Sequence, residues 1–168
     1  YACAYAQALE AIVGVTPPPR ALALRALALE RERIANHLGD LGYLGNDGGF
    51  ACGLAQFSRL PEAVVRTNVA AFGHRLMMDV VVPGGVARDI ASAALRALAD
   101  QSLALEREIR TVRGIYDEHA GLQDRFRTCG VVLPALAAKL GLCGMAGRAS
   151  GQARDLRCDF PVAPYDAL

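Results

Sequence analysis

Apolar residues recur along this chain at three- and four-residue steps, and two stretches keep that period long enough to define helices. In the first, Leu24, Leu27, Ile34, Leu38 and Leu41 make one stripe between Thr16 and Gly45. Thr16 is placed to N-cap this helix. Pro17 to Pro19 suit its first turn, where a missing N–H costs nothing. In the second stretch, Ala87–Tyr116, the stripe is Ala91, Ala94, Leu98, Leu105, Ile109, Val112 and Tyr116. Its opposite face carries Arg96, Asp100, Arg107 and Arg110 and reads as solvated. Neither helix can bury its own stripe. The two are therefore expected to pack together, Leu27/Ile34/Leu41 against Leu98/Leu105/Val112, as the core of a bundle.

Shorter elements fill the intervals. Tyr1–Val13 reads as the end of a helix stopped by Gly14, with Ala2, Tyr5, Leu9 and Ile12 as its stripe. Gly39, Gly42 and Gly45 fall in the last turns of the first long helix and cost about 1 kcal/mol each in helix propensity. They either admit another backbone or mark a fraying end. Gly48–Ser58 reads as a short buried helix, and Pro61 opens a separate one that Gly73 closes. The run LMMDVVV is the strand candidate, followed by a turn at Pro83-Gly84-Gly85, giving a small β element near Val80 to Val86. Arg88 and Asp89 read as caps of the second long helix. Gly121–Arg127 reads as a helical turn and Pro134–Leu140 as a short helix stopped by Gly141. From Gly141 onward the pattern predicts an extended segment over the bundle. The fold class is mainly α, a helical bundle with two long helices, several short ones and a small β element, in a single domain over residues 1–168.

Composition agrees with packed helices. Ala and Leu supply much of the 53% hydrophobic content, aromatics are 6%, and there is no Trp. No apolar run is long enough for a transmembrane segment. The net charge of +1, with acids and bases interspersed, argues against a nucleic-acid partner. Arg outnumbers Lys 17 to 1, which fits a bias of genomic base composition. The chain opens on Tyr1, already in a helical pattern, and is expected to be a piece of something longer.

The candidate chemistry is sparse. Cys3, Cys52, Cys129, Cys143 and Cys158 are odd in number, far apart and without a C-x-x-C pair. That spacing predicts neither a disulfide framework nor a zinc or iron–sulfur site in this chain, so no metal-ligating residues are expected in it. There is no P-loop, dinucleotide fingerprint or nucleophile elbow. The residues that stand out are on the first long helix. Glu30, Arg33 and His37 sit at i, i+3 and i+7, so a helix stacks them beside the apolar stripe. Such a ridge is either a structural network, buried and paired, or a proton relay facing a cofactor. Asp47 follows at the helix end, before Gly48 and Gly49, where it is either the N-cap of the next helix or a relay carboxylate.

Four ordered stretches, YACAYAQALEAIVGVTPPPRA, ERERIANHLGDLGYLGNDGGF, GHRLMMDVVVPGGVARD and GRASGQARDLRCDFP, carry a family resemblance. The chain resembles the large subunit of membrane-bound, energy-converting nickel–iron hydrogenases of the formate-hydrogenlyase type. It equally resembles the homologous 49 kDa quinone-site subunit of complex I, the NADH-quinone oxidoreductase. The flavour is closer to the hydrogenase branch in ERERIANHLGDLG and FGHRLMMD. The resemblance implies an oxidoreductase of the NADH dehydrogenase (NAD binding) and hydrogenase class, which passes electrons from an iron–sulfur cluster to protons or quinone. It implies as partners an iron–sulfur small subunit, a 30 kDa-type subunit and a membrane arm, with the chain peripheral on the cytoplasmic, inner face of the membrane. In that family two C-x-x-C pairs hold the nickel of the NiFe centre. Neither pair is present, so no cofactor is expected in this central segment, which would be inactive by itself. In the complex I relatives the Asp matching Asp47 lies by the quinone headgroup and pairs with a His from an upstream segment absent here. By resemblance Asp47 is the leading catalytic candidate, and His37, Glu30 and Arg33 belong to a polar path or hold helices together. Val162 stands where the family's PY-x-x-Y has its first Tyr. Two other functions remain open at this point, a cofactor-free assembly scaffold and an unrelated helical interaction module. Such a segment would also expose apolar surface near the Gly-rich turn and near its C-terminal end.

Overall fold

A computed structural model describes residues 1–167. They form eight α-helices, one 3₁₀ turn and a two-stranded ribbon, a mainly α architecture. The helices are α1 (Ala2–Val13), α2 (Pro19–Asp47), α3 (Ala51–Phe72), α4 (Ser92–Glu118), α5 (Ala120–Phe126), α6 (Pro134–Leu140), α7 (Gly144–Ala149) and α8 (Leu156–Asp159). The ribbon pairs β1 (Val81–Val82) with β2 (Gly85–Val86), antiparallel, Val81 opposite Val86. The chain falls into two compact units, Tyr1–Asp124 and the part from Arg125 onward.

The two longest helices are those that the stripes predict, with shifted ends. Pro18, not Thr16, occupies the N-cap of α2, extended at φ −59°, ψ 147°. Each residue that precedes a proline is pushed out of the helical region, so Thr16, Pro17 and Pro18 are held extended and only Pro19 can enter the helix. Helix α4 starts at Ser92 rather than Ala87, and its N-cap is Ala91. Asp89 does not cap it. Its carboxylate instead accepts from the Ile90 amide and from Arg20, both at 2.8 Å.

Helix α3 replaces the two helices expected on either side of Pro61. Pro61 lies inside it, without the N–H that would bond the carbonyl four residues back. Phe57 and Leu60 before it, and Val64 and Val65 after it, are all buried. One face that bridges the proline is worth more than the single bond it removes. By backbone contact α3 is the middle helix, since α2 packs most extensively on α3 and α3 in turn packs on α4. The stripes of α2 and α4 meet in shared clusters rather than along a direct backbone seam. One cluster joins Leu38, Phe57, Leu60, Val64, Leu105, Val112, Tyr116 and Leu122, with Ile34 and Leu41 packed against it. The other joins Leu24, Ala28, Ala71, Phe72, Val80, Ile90 and Leu98, with Leu27 packed against it.

The strand candidate shrinks to Val81–Val82. Met77 and Asp79 adopt φ of 54° and 59°, which breaks the extended run. The His74 Nδ1 accepts from the amides of Leu76 (3.2 Å) and Met78 (3.4 Å) and winds that stretch into turns. Helix α1 also inverts its expected face. Ala6 and Glu10 are buried, whereas Tyr5 and Ile12 are exposed. An ion pair, described below, sets that orientation.

In the second unit the segment from Gly141 is not extended, because α7 and α8 form within it. Asp155 caps α8 by accepting from the Arg157 amide at 3.0 Å. The Arg157 guanidinium holds the Asp155 carboxyl below the usual carboxylate range. Tyr43 and Leu44 on α2 are exposed, and so are Leu156, Phe160 and Val162 in the second unit.

Candidate functional site

The sequence makes α2 end late. Gly39, Gly42 and Gly45 do not stop it, and it runs on to Asp47, with Gly48 as C-cap and Gly49 at φ 75°. Three backbone bonds wind the turn that follows: Gly48 N–H to Leu44 C=O at 2.9 Å, Gly49 N–H to Asn46 C=O at 2.9 Å, and Phe50 N–H to Gly45 C=O at 2.7 Å. Helix α3 then starts with Phe50, not Asp47, at its N-cap and has no side-chain cap. The Asp47 carboxylate is exposed and makes neither a hydrogen bond nor an ion pair among the described residues. The capping alternative for Asp47 is thereby removed.

Tyr116 of α4 supports this turn from beneath. Its hydroxyl donates to the Leu41 carbonyl at 2.9 Å. Its ring meets Phe57 edge-on at 5.1 Å and Phe50 at 5.6 Å. The hydroxyl fits between two helices because Gly45 and Gly53 lack side chains. A Cβ on either would overlap it, lying 3.1 Å and 2.7 Å from Tyr116 Cζ respectively. Gly42 likewise lets α3 approach, with Phe57 Cβ 3.4 Å from the position its own Cβ would take, whereas Gly39 faces open space. Burial raises the Tyr116 pKa, and the Cys52 thiol adds to this, so the phenol stays a donor. His119 packs its ring on Phe50 at 4.5 Å, and the buried Leu122 sits against Gly48.

The three other candidates lie away from Asp47. Glu30 and Arg33 pair at 3.4 Å, half-buried. His37 is half-buried, and its Nδ1 is enclosed without a partner among the described residues. At 1.5 Å per residue His37 is roughly 15 Å along the helix from Asp47, so the structure does not bring the four into one cluster.

Two charged groups that the stripe reading passes over are far better enclosed. Arg25 and Arg31 lie on the buried face of α2 with Ala21, Leu24, Ala28 and Leu38. Arg25 bonds both oxygens of Glu10, at 2.5 and 3.2 Å, and the carbonyls of Val82 and Gly85. The Gly84 amide adds a bond to Glu10 at 2.7 Å. Arg25, with help from that amide, pulls the Glu10 pKa below its ordinary value. Arg31 bonds Asn68 at 2.5 Å, the Val64 carbonyl at 3.0 Å and Gln101 at 2.8 Å. Desolvation lowers its pKa, yet an arginine remains a cation. The sequence shows both arginines at helical spacing on the apolar side of α2 but carries no local signal of what they pair with.

A nickel–iron centre does not fit the residues present. Its thiolates must converge, and the five free cysteines sit on separate segments. Among the described residues no three His, Cys, Asp or Glu side chains gather as metal ligands, and no helix is long and apolar enough to cross a membrane.

Comparison with known proteins places this arrangement. Carbon monoxide-induced hydrogenase of Rhodospirillum rubrum is 33% identical over 165 residues, 98% of this chain and 46% of that protein. Formate hydrogenlyase subunit 5 of Escherichia coli is 31% identical over 171 residues, 100% of this chain and 30% of that protein. NADH-quinone oxidoreductase subunit 4 of Thermus thermophilus is 31% identical over 163 residues, 97% of this chain and 40% of that protein. The chain thus spans less than half the length of these relatives. A chain of the membrane-bound sulfane sulfur reductase, an archaeal respiratory membrane complex, superimposes with a TM-score of 0.88 at 27% identity, over 95% of this chain and 43% of that one. The model of the respiratory-chain NADH dehydrogenase 49 Kd subunit family matches residues 47–168, and the chain belongs to that family.

Proposed function

We propose that this chain forms the helical core of the large subunit of a membrane-bound oxidoreductase complex, of the energy-converting hydrogenase type, that passes electrons from an iron–sulfur cluster to protons or quinone. Asp47 carries the reading. It ends α2 at the negative pole of the helix, exposed and without a partner among the described residues. A carboxylate there disfavours the helix, so the fold gains nothing from it. An exposed carboxylate can accept a proton, or hydrogen-bond a quinone oxygen when protonated. The relatives named as hydrogenases and as an NADH-quinone oxidoreductase subunit support an electron-transfer role. The iron–sulfur cluster would belong to a small subunit. A 30 kDa-type subunit and a membrane arm would complete the complex, with this chain peripheral on the cytoplasmic face.

The test is Asp47→Asn in the assembled parent complex. The amide keeps the shape and cannot carry the proton. Normal assembly with most hydrogen-evolving or quinone-reducing turnover lost is the expected result, and unchanged turnover overturns it. A second reading is a cofactor-free scaffold for assembly. In that case purified complexes containing the chain turn over neither substrate.

A further inference from the structure

The geometry points to Tyr116 as the positioning residue for Asp47: its hydroxyl is a peg that fixes the α2–α3 turn on which the carboxylate stands. This rests on the reading of Asp47 given above. The peg comes from α4, a third helix, and enters where α2 and α3 both lack side chains. Gly45 of α2 and Gly53 of α3 both face the hydroxyl, and a side chain at either would occupy its place. The bond to Leu41 C=O anchors the hydroxyl to the last part of α2, six residues before Asp47. The same ring wedges Phe50, whose amide closes the turn on Gly45. Asp47 therefore stands on a loop closed by Gly45 and Phe50, and both of those residues touch Tyr116. The Asp47 carboxylate makes neither a hydrogen bond nor an ion pair among the described residues, so its aim follows from the backbone that carries it. A relay or ligand-binding group needs its position held to within a fraction of an ångström, and displacement by about 1 Å can cost a hundredfold in rate. The glycines gain meaning as well. They cost helix propensity in return for a slot that accepts one phenol.

The test uses the assembled complex with Tyr116→Phe, Gly45→Ala, the two combined, and Asp47→Asn. Tyr116→Phe deletes one oxygen and leaves the ring packing, so assembly persists. Turnover per complex is expected to fall about tenfold, with KM little changed, and amide hydrogen exchange at Gly48, Gly49 and Phe50 to speed up while that of α1 stays constant. Gly45→Ala alone should damage turnover more than it does in the Tyr116→Phe background, where the oxygen it strikes is gone. If Asp47→Asn is inactive but Tyr116→Phe turns over at the wild-type rate, the positioning role is overturned and the reading of Asp47 stands. If Tyr116→Phe and Gly45→Ala add independently, the slot is overturned. If Asp47→Asn is fully active, the reading of Asp47 falls first and the positioning role with it.

Discussion

Arg25 grips both carboxylate oxygens of Glu10 from within α2, and the pair is almost wholly enclosed, with side chains 5% and 7% exposed. Enclosure of two charges is favourable only when every remaining lone pair and proton is used. Here most are: four of the five guanidinium N–H groups are matched, two on the carboxylate and two on the Val82 and Gly85 carbonyls, and the carboxylate also takes the Gly84 amide. One ion pair thus ties α1, α2 and the ribbon together. It also explains why α1 turns Glu10 inward and leaves Tyr5 and Ile12 outside.

Removal of one partner should cost more than removal of both. Arg25→Leu or Glu10→Leu alone strands a buried charge, whereas the double substitution strands none. Thermal melts of the three variants check this. The double variant should melt above Arg25→Leu, and a melt below both singles contradicts the argument.

The same pair gives stability a pH dependence of known sign. Glu10 is held below its ordinary 4.5 in the folded chain. The unfolded chain therefore binds the proton more readily. The contribution is fully present above about pH 4.5 and is lost as the pH falls through the folded value. Glu10→Gln should flatten acid unfolding as the pH falls below about 4.5, measured by circular dichroism, relative to the wild type. An unchanged acid slope would count against the pair as its source.

Asn68 serves a buried cation, Arg31, that pairs with no carboxylate among the described residues. Its oxygen accepts from Arg31 at 2.5 Å, and its amide nitrogen donates to the Arg75 carbonyl at 3.2 Å. Asn68→Ala removes the acceptor and leaves an enclosed N–H unmatched. Stability should fall by about 2 kcal/mol, read from denaturant midpoints. Asn68→Asp places a negative charge against the guanidinium and should be the milder change.

The sequence was most legible where one period ran unbroken. The stripes of α2 and α4 gave two long helices because Leu38, Leu98, Leu105 and Val112 are buried, as their spacing requires. The α3 helix was hidden by Pro61, since local rules end a helix there and only the tertiary cluster of Phe57, Leu60 and Val64 overrides them. Arg25 and Arg31 were hidden by their charge. Their partners Glu10 and Asn68 lie 15 and 37 residues away, beyond the reach of any local pattern. Asp47 was legible as a helix end, but Tyr116, which faces that end from α4, read only as the last member of a stripe.

Pro61 itself offers a test of that override. Pro61→Ala restores the N–H that proline lacks and relieves the crowding of a helix interior. If both sides of α3 already hold helical geometry, stability should rise by about 1 kcal/mol, less than the roughly 3 kcal/mol cost of proline in an unconstrained helix. A loss of stability would mean that the proline shapes a bend on which the Phe57–Leu60–Val64 cluster depends.

Asp47 should separate stability from function. Its carboxylate stands at the carbonyl end of α2, where the helix presents partial negative charge, and no cation among the described residues offsets it. Asp47→Asn removes that repulsion and should leave the chain as stable as before or more stable by about 0.5 kcal/mol, with the gain shrinking as salt is added. Asp47→Lys should stabilise further, since a cation suits that pole. A stabilising carboxylate would give the opposite order in thermal melts, Asp47 above Asn and Lys. The expected order, Lys above Asn above Asp, combined with loss of turnover in the assembled complex, is the signature of a residue kept for chemistry at the expense of its helix.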